Sequence, residues 1–145
     1  MENKFRGLTD EGKVIYGALL FNSFGTMFIS EIGSSKSVSY PWAKLNPVKV
    51  KAADEYTKNE DKSGKPVFSN DIFGVKIINN SNINTEIKKE YGVVELINGQ
   101  YGVKYSNGLF FSVWDIVHGL ADSDMLKFDH IAKGNIHKNG YLLNK

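Results

Sequence analysis

Asn98-Gly99 lies between two runs of strand-forming residues, 91–97 and 100–105, and this pairing constrains the fold more tightly than any other stretch of the chain. A two-residue hairpin turn of type I′ needs positive φ at both central positions, and Asn-Gly adopts it at little cost, so the two runs are predicted to pair antiparallel. Ser106-Asn107-Gly108 then turns the chain into residues 109–114, which gives three consecutive strands from local chemistry alone. In the middle strand Tyr101, Val103 and Tyr105 share one face, and Gln100, Gly102 and Lys104 share the other, so one side is expected inward and one wet. Leu109-Phe110-Phe111-Ser112-Val113-Trp114 places apolar residues on both faces, which predicts a barrel core on one side and a partner or subunit on the other.

Upstream, residues 4–8 alternate as a strand, residues 9–12 form a turn, and residues 13–22 return. The apolar residues Val14, Ile15, Tyr16, Ala18, Leu19, Leu20 and Phe21 are too continuous for a one-sided sheet, and Ala18 to Phe21 also reads as helix. The β-prone Val14, Ile15 and Tyr16, with a turn at Ser23-Phe24-Gly25, favour strand. A third strand over 26–32 then completes an N-terminal β-meander. A polar loop over 33–39 leads to Tyr40-Pro41-Trp42, which is either an aromatic recognition groove or a plug for one end of a small barrel. Residues 48–51 alternate as an edge strand, with Pro47 at its start where a missing N–H does no harm.

Residues 56–78 join this region to the hairpins. A charged loop ending in Ser63-Gly64 leads into Pro66-Val67-Phe68, a second turn follows at Ser69-Asn70-Asp71, and 72–78 is an apolar strand. Gly64 and Asn70 suit the turns, and the Asp71 carboxylate is placed to accept backbone N–H groups of the turn before it. Residues 85–90 read as one helical turn, with Asn84 or Thr85 as N-cap and Glu86 in the first turn. Residues 115–124 read as a short helix or 3-10 turn. Residues 128–136 read as a last short strand containing Gly134-Asn135, and Leu142-Leu143 as a tail folded onto apolar surface.

The chain has no cysteine, which excludes disulfides, zinc-thiolate sites and thiol nucleophiles. The apolar stretch from Val14 to Phe24 is too short and too interrupted to span a bilayer, and a soluble cytoplasmic protein is expected. Eighteen basic residues against sixteen acidic ones give a net charge of +2, which is weak for a protein that must neutralise many phosphates. From 127 to 145 four lysines and two histidines face one aspartate, either as a phosphate-facing strip or as a solvated edge protected by lysines.

Several segments in order resemble one family. Tyr56-Thr57, Asp61-Lys62-Ser63-Gly64-Lys65 and Val67-Phe68-Ser69-Asn70-Asp71-Ile72 resemble the central motif of the YopX-like proteins of bacteriophages and prophages. That motif reads Tyr-Thr-Gly-Leu, a Lys/Asp-Asn-Gly turn, then Ile-Tyr-Glu-Gly-Asp-Ile. Asn3-Lys4-Phe5-Arg6, Tyr91-Gly92-Val93-Val94, Gln100-Tyr101-Gly102-Val103-Lys104 and the tail 134–139 are similar in the same order. Lys58 and Asn70 stand where the family has glycine, and Gly140 where it often has proline, so the chain is read as a divergent member. The resemblance implies a mainly β fold, an SH3-like small β-barrel in the C-terminal half, a tendency to self-associate and no catalytic residues. The expected organisation is an N-terminal β region over 1–55, a motif-bearing connector over 56–78 that includes the first barrel strand, and a barrel over 72–145, or one domain with a shared core. One or two short helical turns complete it.

His118 with Asp115, Asp122 and Asp124 is a candidate nitrogen/oxygen metal site, but no spacing matches a ligand motif and ordinary surface roles explain these residues. No metal, cofactor or catalytic residue is expected. Tyr91, Tyr101, Tyr105, Phe110, Phe111 and Trp114 fall in one meander with Lys104 interleaved. Such rings can stack single-stranded bases, fill a core or form a subunit interface. The expected structural motif comprises Gly64, Asn70, Asp71, Asn98, Gly99, Asn107, Gly108, Gly134 and Asn135, and the expected interaction surface comprises Tyr40, Trp42, Lys104, Phe110 and Trp114. The resemblance, with the absence of any catalytic constellation and the two-sided apolar run at 109–114, implies a non-enzymatic phage or prophage accessory protein that binds a host defence or regulatory protein and forms a homo-oligomer. A nucleic-acid-binding small β-barrel is the alternative.

Overall fold

A computed structural model describes residues 4–30, 47–80 and 85–143. The expectations for the loop 33–39 and for Tyr40 and Trp42 lie outside the described residues. Among the described residues the protein is mainly β, 56% strand and 11% helix, with curled sheets and a half-barrel. It divides into two compact units, Met1–Tyr56 and Thr57–Lys145. No helix among the described residues is long and apolar enough to cross a membrane.

In the first unit β1 (Phe5–Leu8), β2 (Val14–Phe21), β3 (Met27–Ser30) and β4 (Val48–Lys49) pair antiparallel, each with the next. The segment Ala18 to Phe21 is strand, paired with Ser30 to Met27, so the ladder overrides its helical reading. Strand β5 (Ala52–Glu60) begins here, with residues 52–55 paired antiparallel to β1. Ile15, Ile29 and Val50 form the core, with Phe5, Leu19 and Met27 against it. Gly7 is required at this point, since a Cβ would lie 2.6 Å from Ile29 Cγ1 and 2.7 Å from Val50 Cγ1. Arg6 and Asp54 sit opposite each other on β1 and β5 and form a buried two-pronged ion pair, with Nη2 at 2.8 Å and Nε at 3.1 Å from Oδ2. Such a pair fixes register, because losing either partner would strand a buried charge.

The second unit opens with the rest of β5. Here the charged loop expected from residue 56 onward is strand as far as Glu60. Its inward positions are polar and paired, so it shows no apolar alternation: Thr57 is buried and donates from Oγ1 to the Val67 carbonyl at 2.8 Å. β6 (Pro66–Phe68) follows β5 in the sheet. Next come β7 (Asp71–Asn80), β8 (Thr85–Ile97), β9 (Gln100–Tyr105), β10 (Phe110–Ser112) and β11 (Leu126–Phe128), in the order β10-β9-β8-β7-β11, with β12 (Gly134–Asn135) also on β7. Residues 85–90 are strand and not a helical turn, because they continue a nine-pair antiparallel ladder with β7 that outweighs a weak local preference.

The strand expected over 109–114 ends at Ser112. The Ser112 hydroxyl accepts the Asp115 N–H at 3.1 Å and so caps helix α1 (Val113–Val117), which carries Trp114 off the sheet. The single strand expected over 128–136 is instead β11, a loop and β12. Asn135 then caps the short helix α2 (Ile136–Asn139) with its side chain accepting from His137 and Lys138 N–H, and a 3-10 turn (Gly140–Leu143) follows. Val67, Phe73, Val75, Val94, Val103, Tyr105, Val113, Ile116, Val117 and Phe128 make the core of this unit.

Candidate binding surface

Cross-strand partners share a face, so the ladders sort the second unit's side chains directly. Phe73, Val75, Val94, Val103, Tyr105 and Phe111 turn to the core. The opposite face carries Lys76, Lys89, Tyr91, Val93, Lys104 and Phe110, through the pairs Lys76 with Lys89, Gly74 with Tyr91, Val93 with Lys104 and Lys104 with Phe110. Gly102, expected on the wet face, is buried because the Phe110 ring lies over it; a Cβ there would come within 2.7 and 2.8 Å of Phe110 Cε1 and Cε2. Lys89 crosses the site of Gly74, bonds Asp129 Oδ2 at 2.7 Å and lies 5.7 Å from the Tyr91 ring centroid. Lys104 is exposed on this face. The face therefore offers aromatic area and cationic charge, partly offset by Asp129 and Glu95.

Trp114 stands apart from this face, on α1. It is half-exposed, stacks on His118 with centroids 4.3 Å apart, and its carbonyl oxygen lies 2.7 Å from His118 Nδ1. Leu120, 63% exposed, follows closely, and Gly119 ends the helix with φ of 75°. His118, which the sequence groups with Asp115, Asp122 and Asp124, is thus a stacking partner. The residue that meets Asp122 is His130, with Nε2 at 3.1 Å from Oδ2, while Oδ1 accepts the Phe128 N–H at 3.0 Å. Nearby, the buried Tyr105 hydroxyl has no hydrogen-bond partner among the described residues. Burial above all, then the charges of Asp129 and Asp122, holds its ionisation far above the ordinary phenol range. Among the described residues no group of three or more acidic or histidine side chains is placed to hold a metal ion.

Of the structural-motif residues, Gly64, Asn70, Asn98, Gly99, Asn107 and Gly108 occupy turns, Asp71 opens β7, and Gly134 and Asn135 form β12. Asn70 has φ of 68° and its N–H donates to the Val94 carbonyl, while Asp71 Oδ2 accepts the Phe68 N–H at 2.9 Å. Asn98 and Gly99 have φ of 52° and 78°, as the I′ turn requires, and Gly64, Gly108 and Gly134 also have positive φ. Asn107 Oδ1 accepts the Leu109 N–H at 3.0 Å. Sequence reasoning missed Asp61, whose carboxylate gathers Ser63 N–H at 2.9 Å, Lys65 N–H at 3.2 Å, the Ser63 hydroxyl, and Ala132 N–H at 3.3 Å from a distant loop. The Asp-x-Ser-Gly spacing is an Asx-turn signal that could have revealed its local half. The tail residues Leu142 and Leu143 line a cleft of about 220 Å³ with Lys88, Glu90, Tyr91 and Ser106, smaller than ordinary ligand pockets. No protein-family model matches this chain, and no curated protein matches it.

Proposed function

We propose that this is a divergent YopX-like protein of a bacteriophage or prophage, a non-enzymatic accessory factor that self-associates and binds a host defence or regulatory protein in the bacterial cytoplasm. The observation that carries the reading is backbone conformation. Lys58 and Asn70, the two positions of the central motif where this chain replaces a glycine of the family, have φ of 66° and 68°. Non-glycine residues seldom adopt positive φ, and Asn98 of the I′ turn is the third such residue among those described. A glycine pattern that coincides with left-handed backbone supports a shared local fold beneath divergent side chains. The SH3-like reading of the C-terminal half is supported by the meander β7 to β10, the single helical turn α1 and the return of β11 onto β7.

Binding as the mode of action is supported by the outward display of Lys104 and Trp114. A protein target fits the charge better than nucleic acid does: residues 57–145 hold eleven lysines against ten carboxylates. The test is affinity capture from bacterial lysate with wild-type bait and with a Lys104→Glu/Trp114→Ala bait. A bacterial protein held by the first and lost from the second is expected; equal capture, or none, overturns the reading. The alternative, a nucleic-acid-binding small β-barrel, is favoured by Tyr91, Phe110 and Lys104 sharing one face. Salt-sensitive anisotropy changes with labelled single- or double-stranded DNA or RNA would move the assignment to it.

A further inference from the structure

We propose that a second copy of this chain docks on the open edge of β8, antiparallel and centred on Ile87, so that two β7–β8 arms join into one sheet. The inference rests on the self-association reading and gives it an interface.

Strand β8 pairs with β7 from Thr85 to Val93 and with β9 from Gly92 to Ile97, so the two ladders overlap at Gly92 and Val93. From Thr85 to Lys88 its paired strand among the described residues is β7. Residues 85–88 are exposed, and Ile87 is 63% exposed opposite Ile78. The direction of the edge groups follows from three hydrogen bonds on β7. Ile78 N–H donates to the Met125 carbonyl, and the Gly74 and Ile72 carbonyls accept from Asp129 and Lys133. These even-numbered residues of β7 turn their backbone groups away from β8. Their antiparallel partners, Ile87 and Thr85 included, therefore turn theirs away from β7 toward the open edge. Such an edge is a template for strand addition.

Charge decides what adds to it. The edge reads Thr85-Glu86-Ile87-Lys88. A two-fold axis normal to the sheet keeps equivalent faces on one side, so only registers centred on a residue preserve the pleat. Centred on Ile87, the pairing sets Ile87 against its counterpart as a doubly hydrogen-bonded pair and Glu86 against the counterpart of Lys88 on both sides of the axis. Centred on Glu86, Lys88 or Lys89, it sets like charges face to face. Parallel in-register pairing sets Glu86 on Glu86 and Lys88 on Lys88. Edge lysines usually discourage pairing, but with the axis on Ile87 Lys88 falls opposite a glutamate and no like charges meet. With three lysines and two glutamates over residues 76–90, the arm is suited to its own copy and not to a phosphate backbone.

The test is sedimentation equilibrium on the full chain, with circular dichroism as a check on folding. Wild type is expected to dimerise. Ile87→Pro, which removes an N–H aimed at the partner and not at β7, is expected to abolish dimerisation. Glu86→Lys and Lys88→Glu are each expected to weaken the dimer about tenfold or more, and the double swap to restore it. The chain has no cysteine. Mixing Glu86→Cys and Lys88→Cys chains under mild oxidation is therefore expected to give a disulfide-linked heterodimer, because opposed residues of a non-hydrogen-bonded pair lie about 4.5 Å apart at Cα. A dimer indifferent to the charge swap, with no preferential crosslink in the mixture, overturns this interface and leaves self-association standing. A chain that stays monomeric and gives no crosslink overturns both.

Discussion

Replacing Asp61 tests whether one buried carboxylate ties the 61–65 turn to the loop before β12. Asp61 is 6% exposed and accepts three backbone N–H groups and one hydroxyl. The backbone closes the same turn with Asp61 N–H to Lys65 C=O and Gly64 N–H to Asp61 C=O, while Lys62 N–H reaches the His130 carbonyl at 2.9 Å. A hydrogen bond to a charged group is worth about 1.5–3 kcal/mol net, but in Asp61→Ala water can replace the acceptor at the exposed Ser63 and Lys65. The half-buried Ala132 N–H cannot recover as fully, so the expected loss is about 2–4 kcal/mol. Asp61→Asn keeps an oxygen for the turn but sets an amide donor against one of its former donors, for a loss of about 1–2 kcal/mol. Urea denaturation measures both, with exposed Asp10→Ala as control. Amide exchange at Lys62 and Ala132 should accelerate together. An Asp61→Ala variant as stable as the Asp10→Ala control would refute the reasoning.

Lys58→Gly should stabilise the protein by about 0.5 kcal/mol, since relief of left-handed strain of about 1–2 kcal/mol outweighs the added chain entropy of glycine. Lys58→Ala should change little and Asn70→Gly should be near neutral, both read from urea midpoints. Tyr105→Phe should stabilise by about 1 kcal/mol, because it removes a buried hydroxyl that lacks a partner among the described residues. Its pH dependence has a definite sign. The folded ionisation of Tyr105 is raised, so the wild-type chain keeps its stability below about pH 10 and loses it as pH rises past that value, where only the unfolded phenol ionises. The Phe variant should therefore show a flatter alkaline fall in denaturation midpoints. Gly102→Ala should destabilise by about 1–3 kcal/mol by displacing the Phe110 ring, and adding Phe110→Ala should remove most of that coupling in a double-mutant cycle.

The β class and the tight turns are legible in the chain because turn chemistry is local. Asn98-Gly99 dictates positive φ without help from the rest of the molecule, and Asp71 caps its own turn from three residues away. What sequence reasoning missed depends on partners far along the chain. Residues 56–60 look like a loop because the polar Thr57 points inward, and its hydroxyl donates to the Val67 carbonyl ten residues later. Asp122 pairs with His130 and not His118, because helix α1 closes on itself through the Trp114–His118 stack. Phe110 appears available for binding, but covering Gly102 commits part of its ring.

Residues 85–90 carry this contrast into function. Their local chemistry, a capping Thr85 with Glu86 in the first turn, favours a helix that would hide no backbone edge. The ladder with β7 imposes strand instead, and in strand geometry Glu86 and Lys88 fall on one side of the arm and Ile87 on the other. A helix would place Glu86 and Lys88 about 200° apart, and no self-complementary edge would exist. The same four residues are therefore informative about self-association only once β7 has fixed their conformation. Strengthening local helix preference there, as with Thr85→Ala/Ile87→Ala, should lower dimer affinity while leaving the 92–105 hairpin intact. Sedimentation read beside amide exchange separates the two effects, and a dimer unchanged by that pair would count against the edge as the place where copies meet.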